Sequence, residues 1–457
     1  MAETTEDGNK PPKHGLQNRH VQLIAIGGTI GTGLFMGAGN SIHYAGPVIL
    51  LVYLIVGLFM FVMMRAIGEL LYADPKQHTF ITFITRYIGN RAGFFARWSY
   101  WLTVVFMGMA ELTAVAKYVQ YWLPGLPGWL IQITMLIILT CVNLVAVALY
   151  GETEFWFSMI KIIAILALIV TGIMMALTGF KTPVGDVAFS NVFNHFAFFP
   201  NGFGNFINAF QMVMFAFVGM EFIGMTAAET DNPRDVLPKA INQIPWRILF
   251  FYLGALFIIM TIYPWQKIPA DQSPFVMVFQ LVGIKWAAAV VNFVVLTSAA
   301  SALNSVLFSA SRNFYALAFQ SKARFLQPFR KMSKTQLPIN AVLFTSLMIA
   351  FSAVISVIPA ITNAFSFVTS ASTDLFLMIY VLTLIAYMNY RKSNDYMQDG
   401  FLVIAPKTLV PLAIIFFSFV FITLFFNPES RIPAIGSTIW LVVFGVISWR
   451  QPKTAIR

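Results

Sequence analysis

Three ionisable side chains lie where hydrocarbon makes charge expensive. Glu111, Lys161 and Glu221 each fall inside a run of apolar residues long enough to cross a bilayer. A carboxylate or ammonium at such depth faces a cavity or a partner, and the chemistry it offers is proton binding and release or ligation of a charged group. Hydroxyls accompany them: Thr29 and Thr32 in the stretch Ile24–Gly39, and Thr297 and Ser298 in Leu296–Asn304. The five histidines (His14, His20, His43, His78, His195) fall in tails or loops, which argues against an intramembrane metal site or a histidine proton relay. The one cysteine, Cys141, has no second thiol with which to form an internal disulfide. No nucleophile–base spacing stands at membrane depth, which argues against a membrane enzyme.

The element that must position these groups is the first apolar segment. Six of the thirteen residues from Gly27 to Gly39 are glycine. Bare backbone groups in lipid cost several kcal/mol each, so a sequence that weakens its own helix there needs something to occupy the freed N–H and C=O groups. Gly27/Gly31 and Gly33/Gly37 are also GxxxG spacings, which often mean close helix packing. Taken alone, the stretch leaves packing and a broken helix open. The sixth segment decides between them. Phe215-Ala-Phe-Val-Gly-Met-Glu-Phe-Ile-Gly224 places glycines on both sides of an acid at the same depth. Segments 1 and 6 hold matching places in two blocks of five, and an odd number of crossings separates them. Interrupted segments in matching places of inverted halves point to a transporter's binding site.

Composition agrees. The chain has 457 residues, is 58% hydrophobic and 10% charged, and its mean hydropathy is +0.76. That is a polytopic membrane protein. Twelve apolar segments lie near 21–40, 46–72, 98–122, 129–149, 155–178, 203–228, 246–264, 286–318, 339–358, 362–389, 408–427 and 433–449. The implied organisation is a cytoplasmic tail (1–20), a transport core (21–389) in halves 21–178 and 203–389, two further helices (408–449) and a second cytoplasmic tail (450–457). Residues 1–20 read as a tail rather than a cleavable signal. Of 29 lysines and arginines, only Lys181, Lys267, Lys285 and Arg431 fall on the side opposite the termini. By the positive-inside rule both termini are cytoplasmic, and the net charge of +11 reflects topology rather than nucleic-acid binding.

Several local readings follow. Arg65 and Glu69, four apart, read as an internal ion pair. Thr79–Tyr87 reads as a short interfacial helix. Glu111 reads as a pocket residue rather than half of a structural pair. Lys117, near a segment end, can snorkel. Lys161 stands six residues from Phe155, about 9 Å of helix rise, and either snorkels or is functionally buried. Residues 179–202 form a long external loop, and Ala228–Lys239 a charged, turn-rich one. Asp374, with Ser366, Thr369 and Ser370, lies at membrane depth with no assigned role. Segments 11 and 12 read as scaffold or an oligomer face, and a homodimer is compatible with them.

Asn18-Arg-His-Val-Gln-Leu-Ile-Ala-Ile-Gly-Gly-Thr-Ile-Gly-Thr-Gly-Leu-Phe resembles the opening signature of bacterial amino acid permeases of the amino acid–polyamine–organocation superfamily. Arg65-Ala-Ile-Gly-Glu-Leu, Met109-Ala-Glu-Leu-Thr-Ala, Gly151-Glu-Thr-Glu-Phe-Trp-Phe and Ala227-Ala-Glu-Thr-Asp-Asn-Pro are similar to further family motifs, so the likeness runs from about 16 to 450. It implies an all-α fold of five-plus-five inverted repeats with broken helices 1 and 6 and two added helices. It also implies proton-coupled amino acid uptake across the bacterial cytoplasmic membrane, with no cofactor beyond the coupling proton. The substrate carboxylate is then expected at Thr29, Gly31, Thr32 and Gly33. Its ammonium is expected at carbonyls near Ile26 and Phe215–Phe217 (through Ala216), with Met107, Glu111, Gly219 and Glu221 completing the pocket. Lys161, Glu221, Glu229, Thr297 and Ser298 are the implied coupling residues. Phe217-Val-Gly-Met-Glu-Phe and Val295-Leu-Thr-Ser-Ala-Ala-Ser are most similar to the D-serine/D-alanine/glycine branch, whereas Met109-Ala-Glu-Leu-Thr-Ala is closer to aromatic permeases. Small neutral substrates are expected ahead of aromatic ones.

Overall fold

A computed structural model describes residues 30–77, 79–145, 150–194, 196–228, 232–270, 272–281, 285–321, 323–333, 337–361 and 363–451. Ile26, Thr29 and Glu229 lie outside the described residues. Helices dominate; the strands are a two-residue hairpin, β1 (Lys181–Thr182) and β2 (Gly185–Asp186), in the external loop.

The first apolar segment is interrupted as its glycines require. After Gly31, which is extended (φ −126°, ψ −157°), come the short helix α1 (Thr32–Phe35), a turn at Met36 and α2 (Gly37–Ala45). A turn at Gly46 leads into α3 (Ile49–Ala73). The chain continues through α4 (Ile81–Tyr87), α5 (Asn90–Gln120), α6 (Gly128–Val145) and α7 (Tyr150–Leu177). The sixth segment is α8 (Phe203–Phe217) and α9 (Glu221–Ala228). Between them Val218 is extended and Gly219 takes φ +99°, a left-handed conformation that side chains rarely adopt. The rest is α10 (Pro233–Ile262), α11 (Pro274–Leu281), α12 (Lys285–Gln320), α13 (Ile339–Ile355), α14 (Ala364–Tyr390), α15 (Pro406–Thr423) and α16 (Pro428–Trp449). Among the described residues nine helical spans are long and apolar enough to cross a membrane, and two shorter apolar helices accompany them. One span, Gly37–Ala73, joins the end of the first segment to the whole of the second, so the twelve expected segments are accounted for.

Two local expectations are corrected. Arg65 and Glu69 do not pair with each other. Glu69 accepts from Tyr387 Oη (2.7 Å) and from the Val403 N–H (2.7 Å), and lies 3.6 Å from Arg391. Arg65 donates to Asn242 Oδ1 (2.7 Å) and to the Leu402 carbonyl. Most of the charged loop before the seventh segment is helix, because Pro233 opens α10 at a first-turn position that needs no N–H donor. Residues 81–87 do form the expected short helix, whose Phe80, Ile81, Phe83 and Ile84 face is buried against α5 and α14.

Candidate substrate site between the broken helices

The two interruptions meet. A Cβ on Gly33 would stand 2.6 Å from Ala216 Cα and 3.2 Å from the Phe215 carbonyl, so the backbones touch with nothing between them. Only glycine permits that approach. On the other side of α1, the Glu111 carboxylate, carried by α5, lies 3.0 Å from the position a Cβ on Gly31 would take. It also lies beside Thr32 and within electrostatic reach of Lys161 on α7. Both Glu111 (2% exposed) and Lys161 (1%) are buried. The structure therefore brings Gly31, Thr32, Gly33, Glu111, Phe215 and Ala216 to one place, with Lys161 near enough to act on Glu111 electrostatically.

The remaining expected residues divide. Met107 is one turn from Glu111 on α5 and is buried. The Phe217 ring turns away and packs against Tyr53 and Tyr252 (centroids 5.9 and 5.2 Å). The carbonyls proposed for the ammonium are already engaged: Phe215 O accepts from Val218 N (3.1 Å), Ala216 O from Tyr252 Oη (2.8 Å) and Phe217 O from Met220 N (3.2 Å). Each carbonyl keeps a second lone pair. Glu221 Oε2 accepts from the Gly219 N–H (3.1 Å) and from Tyr380 Oη (3.0 Å), so this acid staples the second break. Thr297 Oγ1 donates back to the Val294 carbonyl (2.9 Å), while Ser298 Oγ is buried and has no hydrogen-bond partner among the described residues. Tyr252 and Tyr380 were missed from sequence. A tyrosine inside an apolar helix is a legible signal, because a buried hydroxyl needs a partner.

A cavity of about 250 Å³ lies beyond Met36, lined by Lys117, Tyr118, Gln120, Gln272, Ser273 and Asn292 among others. Ser273 Oγ donates to the Phe35 carbonyl (2.7 Å), and the Phe35 and Phe275 rings meet edge to face at 4.9 Å. These contacts tie α1 to the start of α11 beside that cavity.

Two interrupted helices in contact at the centre of a helical membrane bundle, with buried polar groups beside them, define a membrane transporter. The chain matches the amino acid permease family over residues 20–448. It is similar to the DL-alanine permease SerP2 of Lactococcus lactis subsp. cremoris (strain MG1363), 57% identical over 447 residues, covering 98% of this chain and 97% of that protein. It is also similar to the serine permease SerP1 of the same strain, 54% identical over 448 residues, covering 96% and 98%. A third relative is the D-serine/D-alanine/glycine transporter of Escherichia coli (strain K12), 41% identical over 438 residues, covering 95% and 93%. The chain belongs to the amino acid permease family, and its fold is that family's polytopic five-plus-five architecture.

Proposed function

We propose that this permease imports a small neutral amino acid, of the alanine, serine and glycine class, coupled to proton entry. The observation that carries the reading is the contact of Gly33 with Ala216 beside Glu111. The N-terminal end of α1, where the Thr32 N–H already meets the Glu111 carboxylate, favours an anion, and the carbonyls ending α8 offer partial negative charge to an ammonium. The walls at this point are glycine and alanine backbone on one side and a carboxylate on the other, which favours a short substrate side chain over an aromatic ring. The names of the relatives, alanine and serine permeases and a D-serine/D-alanine/glycine transporter, support the same choice. All are named for transport, which speaks against an enzyme.

Lys161 is the proposed coupling residue. It stands within electrostatic reach of Glu111, which in turn abuts Thr32 of the first broken helix. A change of charge on Lys161 would thus be felt where the substrate carboxylate docks, biasing a two-state element. Both termini are proposed to be cytoplasmic. The test is uptake of labelled L-alanine, D-alanine, L-serine and L-phenylalanine into liposomes holding the purified protein, under an imposed pH gradient without sodium. Concentrative uptake of the small substrates is expected. Uptake of phenylalanine alone, or an absolute need for sodium, would overturn the reading.

A further inference from the structure

A groove of about 880 Å³ runs between α5, α14 and α16 at the membrane edge where α5 begins and α14 and α16 end. Its trough is apolar: Phe95, Met378, Leu382, Leu441, Val442 and Val446 line it. The floor opens at Gly445, where an added Cβ would meet nothing within 4 Å. At the mouth stand two cations, Arg91 and Arg450, with Trp449, which is 74% exposed.

The charges at this edge are of two kinds. Arg86 pairs with Asp74 (3.0 Å) and Asp395 (2.8 Å), and Arg391 approaches Glu69. Neither Arg91 nor Arg450 forms an ion pair among the described residues. Arg91 is nonetheless held in place. Its Nε donates to the Gln451 carbonyl (3.1 Å), and its guanidinium lies 5.7 Å from the Trp449 ring centroid. That bond uses one of its five N–H donors, which leaves the donors of both terminal amino groups for a bidentate anion. α16 is tied to α5 beside the groove: Trp440 Nε1 donates to Ser99 Oγ (3.3 Å), and the Phe444 ring lies 5.6 Å from that of Trp98.

We propose that this groove binds an anionic phospholipid, its phosphate between Arg91 and Arg450 and an acyl chain along Val442, Gly445 and Val446. A soluble anion would use the arginines but leave the trough empty. A zwitterionic lipid would fill the trough but bring its own cation to the arginines. Only a lipid with net negative charge matches both parts. Basic pockets between transmembrane helices at a membrane face are a recurrent way of holding such headgroups.

The purified full-length protein in detergent is titrated with dioctanoyl phosphatidylglycerol, dioctanoyl phosphatidylcholine or inorganic phosphate, and its thermal unfolding midpoint is followed. Phosphatidylglycerol is expected to raise the midpoint saturably, with phosphatidylcholine giving a smaller rise and phosphate none. In the double variant Arg91→Gln/Arg450→Gln the two lipids should become equivalent. The fall in phosphatidylglycerol affinity should be roughly thirtyfold, as two interfacial arginine contacts would give. Gly445→Leu, which fills the open floor, should weaken both lipids together and keep the baseline midpoint. Equal shifts from the two lipids in the unaltered protein, an unchanged preference in the double variant, or a full shift from phosphate alone would each overturn the proposal. None of these readings depends on transport activity.

Discussion

Replacing Gly33 by alanine tests the contact on which the site depends. The new Cβ would stand 2.6 Å from Ala216 Cα and 3.1 Å from Ala216 N. Ordinary contact begins at 3.4 Å, so α1 and α8 must part by about 0.8 Å. The obstructing atoms are backbone and cannot rotate aside. The Ala216 carbonyl is moreover tied to Tyr252 Oη, and the Phe215 carbonyl to Val218 N. Overpacking of this kind costs about 1–3 kcal/mol, and stretching one of those hydrogen bonds adds about 1 kcal/mol. A total near 3 kcal/mol corresponds to about a hundredfold loss of the closed, substrate-holding arrangement. Gly31→Ala is the control, since among the described residues its Cβ would meet only the Glu111 carboxyl, Oε1 at 3.0 Å, which is the end of a side chain rather than backbone. Alanine binding is measured on the purified protein by equilibrium dialysis, with gel filtration to confirm that each variant remains monodisperse. Gly33→Ala should bind about a hundredfold more weakly than the parent, and Gly31→Ala within about tenfold of it. Wild-type affinity in Gly33→Ala, or the reverse ranking, would show that the two breaks do not form the site.

Three further outcomes are expected. Lys161→Met should uncouple uptake from the pH gradient while exchange of bound amino acid continues; accumulation driven by the gradient alone in this variant would move the coupling role elsewhere, with Glu221 next. Glu111→Gln should change the ranking of amino acids that compete for uptake, because the carboxylate abuts Gly31 and Thr32; a change in expression only would make Glu111 a structural acid. In a Cys141→Ser background, cysteines at Ser333 and Thr182 should react with an impermeant thiol reagent from opposite sides of the membrane, and labelling from one side would refute the topology.

The breaks were legible because glycine runs and buried acids at membrane depth have few physical explanations. Gly33 and Gly219 do what such residues are for, one allowing backbone contact and the other a positive φ. The partners of those residues were not legible. Glu69 was read against Arg65, its helical neighbour, yet it bonds to Tyr387 and Val403, more than 300 positions away. Helical spacing establishes only that two side chains can meet; in a buried site a carboxylate is held by whichever donors the tertiary packing delivers. The short helix α11 was also missed. Eight residues inside a loop carry no membrane-length signal, although Ser273, just before α11, is bonded to the Phe35 carbonyl at the end of α1.

The two breaks differ in a way that bears on which of them receives the ligand. At the second, the polar groups released by the interruption are largely satisfied within the protein: Ala216 O by Tyr252, Gly219 N by Glu221, and Glu221 Oε2 also by Tyr380, leaving Glu221 Oε1 over. At the first, the Glu111 carboxylate lies against the Thr32 backbone and hydroxyl, while Glu111 Oε2 and, on α12, Ser298 Oγ are buried and have no hydrogen-bond partner among the described residues. Buried polar atoms without partners cost about 1–3 kcal/mol each, so a break that retains one gains by admitting a polar guest there. An amino acid's carboxylate accepts and its ammonium donates, which supplies both kinds of partner at once. The second break then acts as the fixed wall, held by tyrosines from α10 and α14, and the first as the adaptable one. The buried Lys161 is within electrostatic reach of Glu111, so on the proposed coupling role its change of protonation would act at the first break.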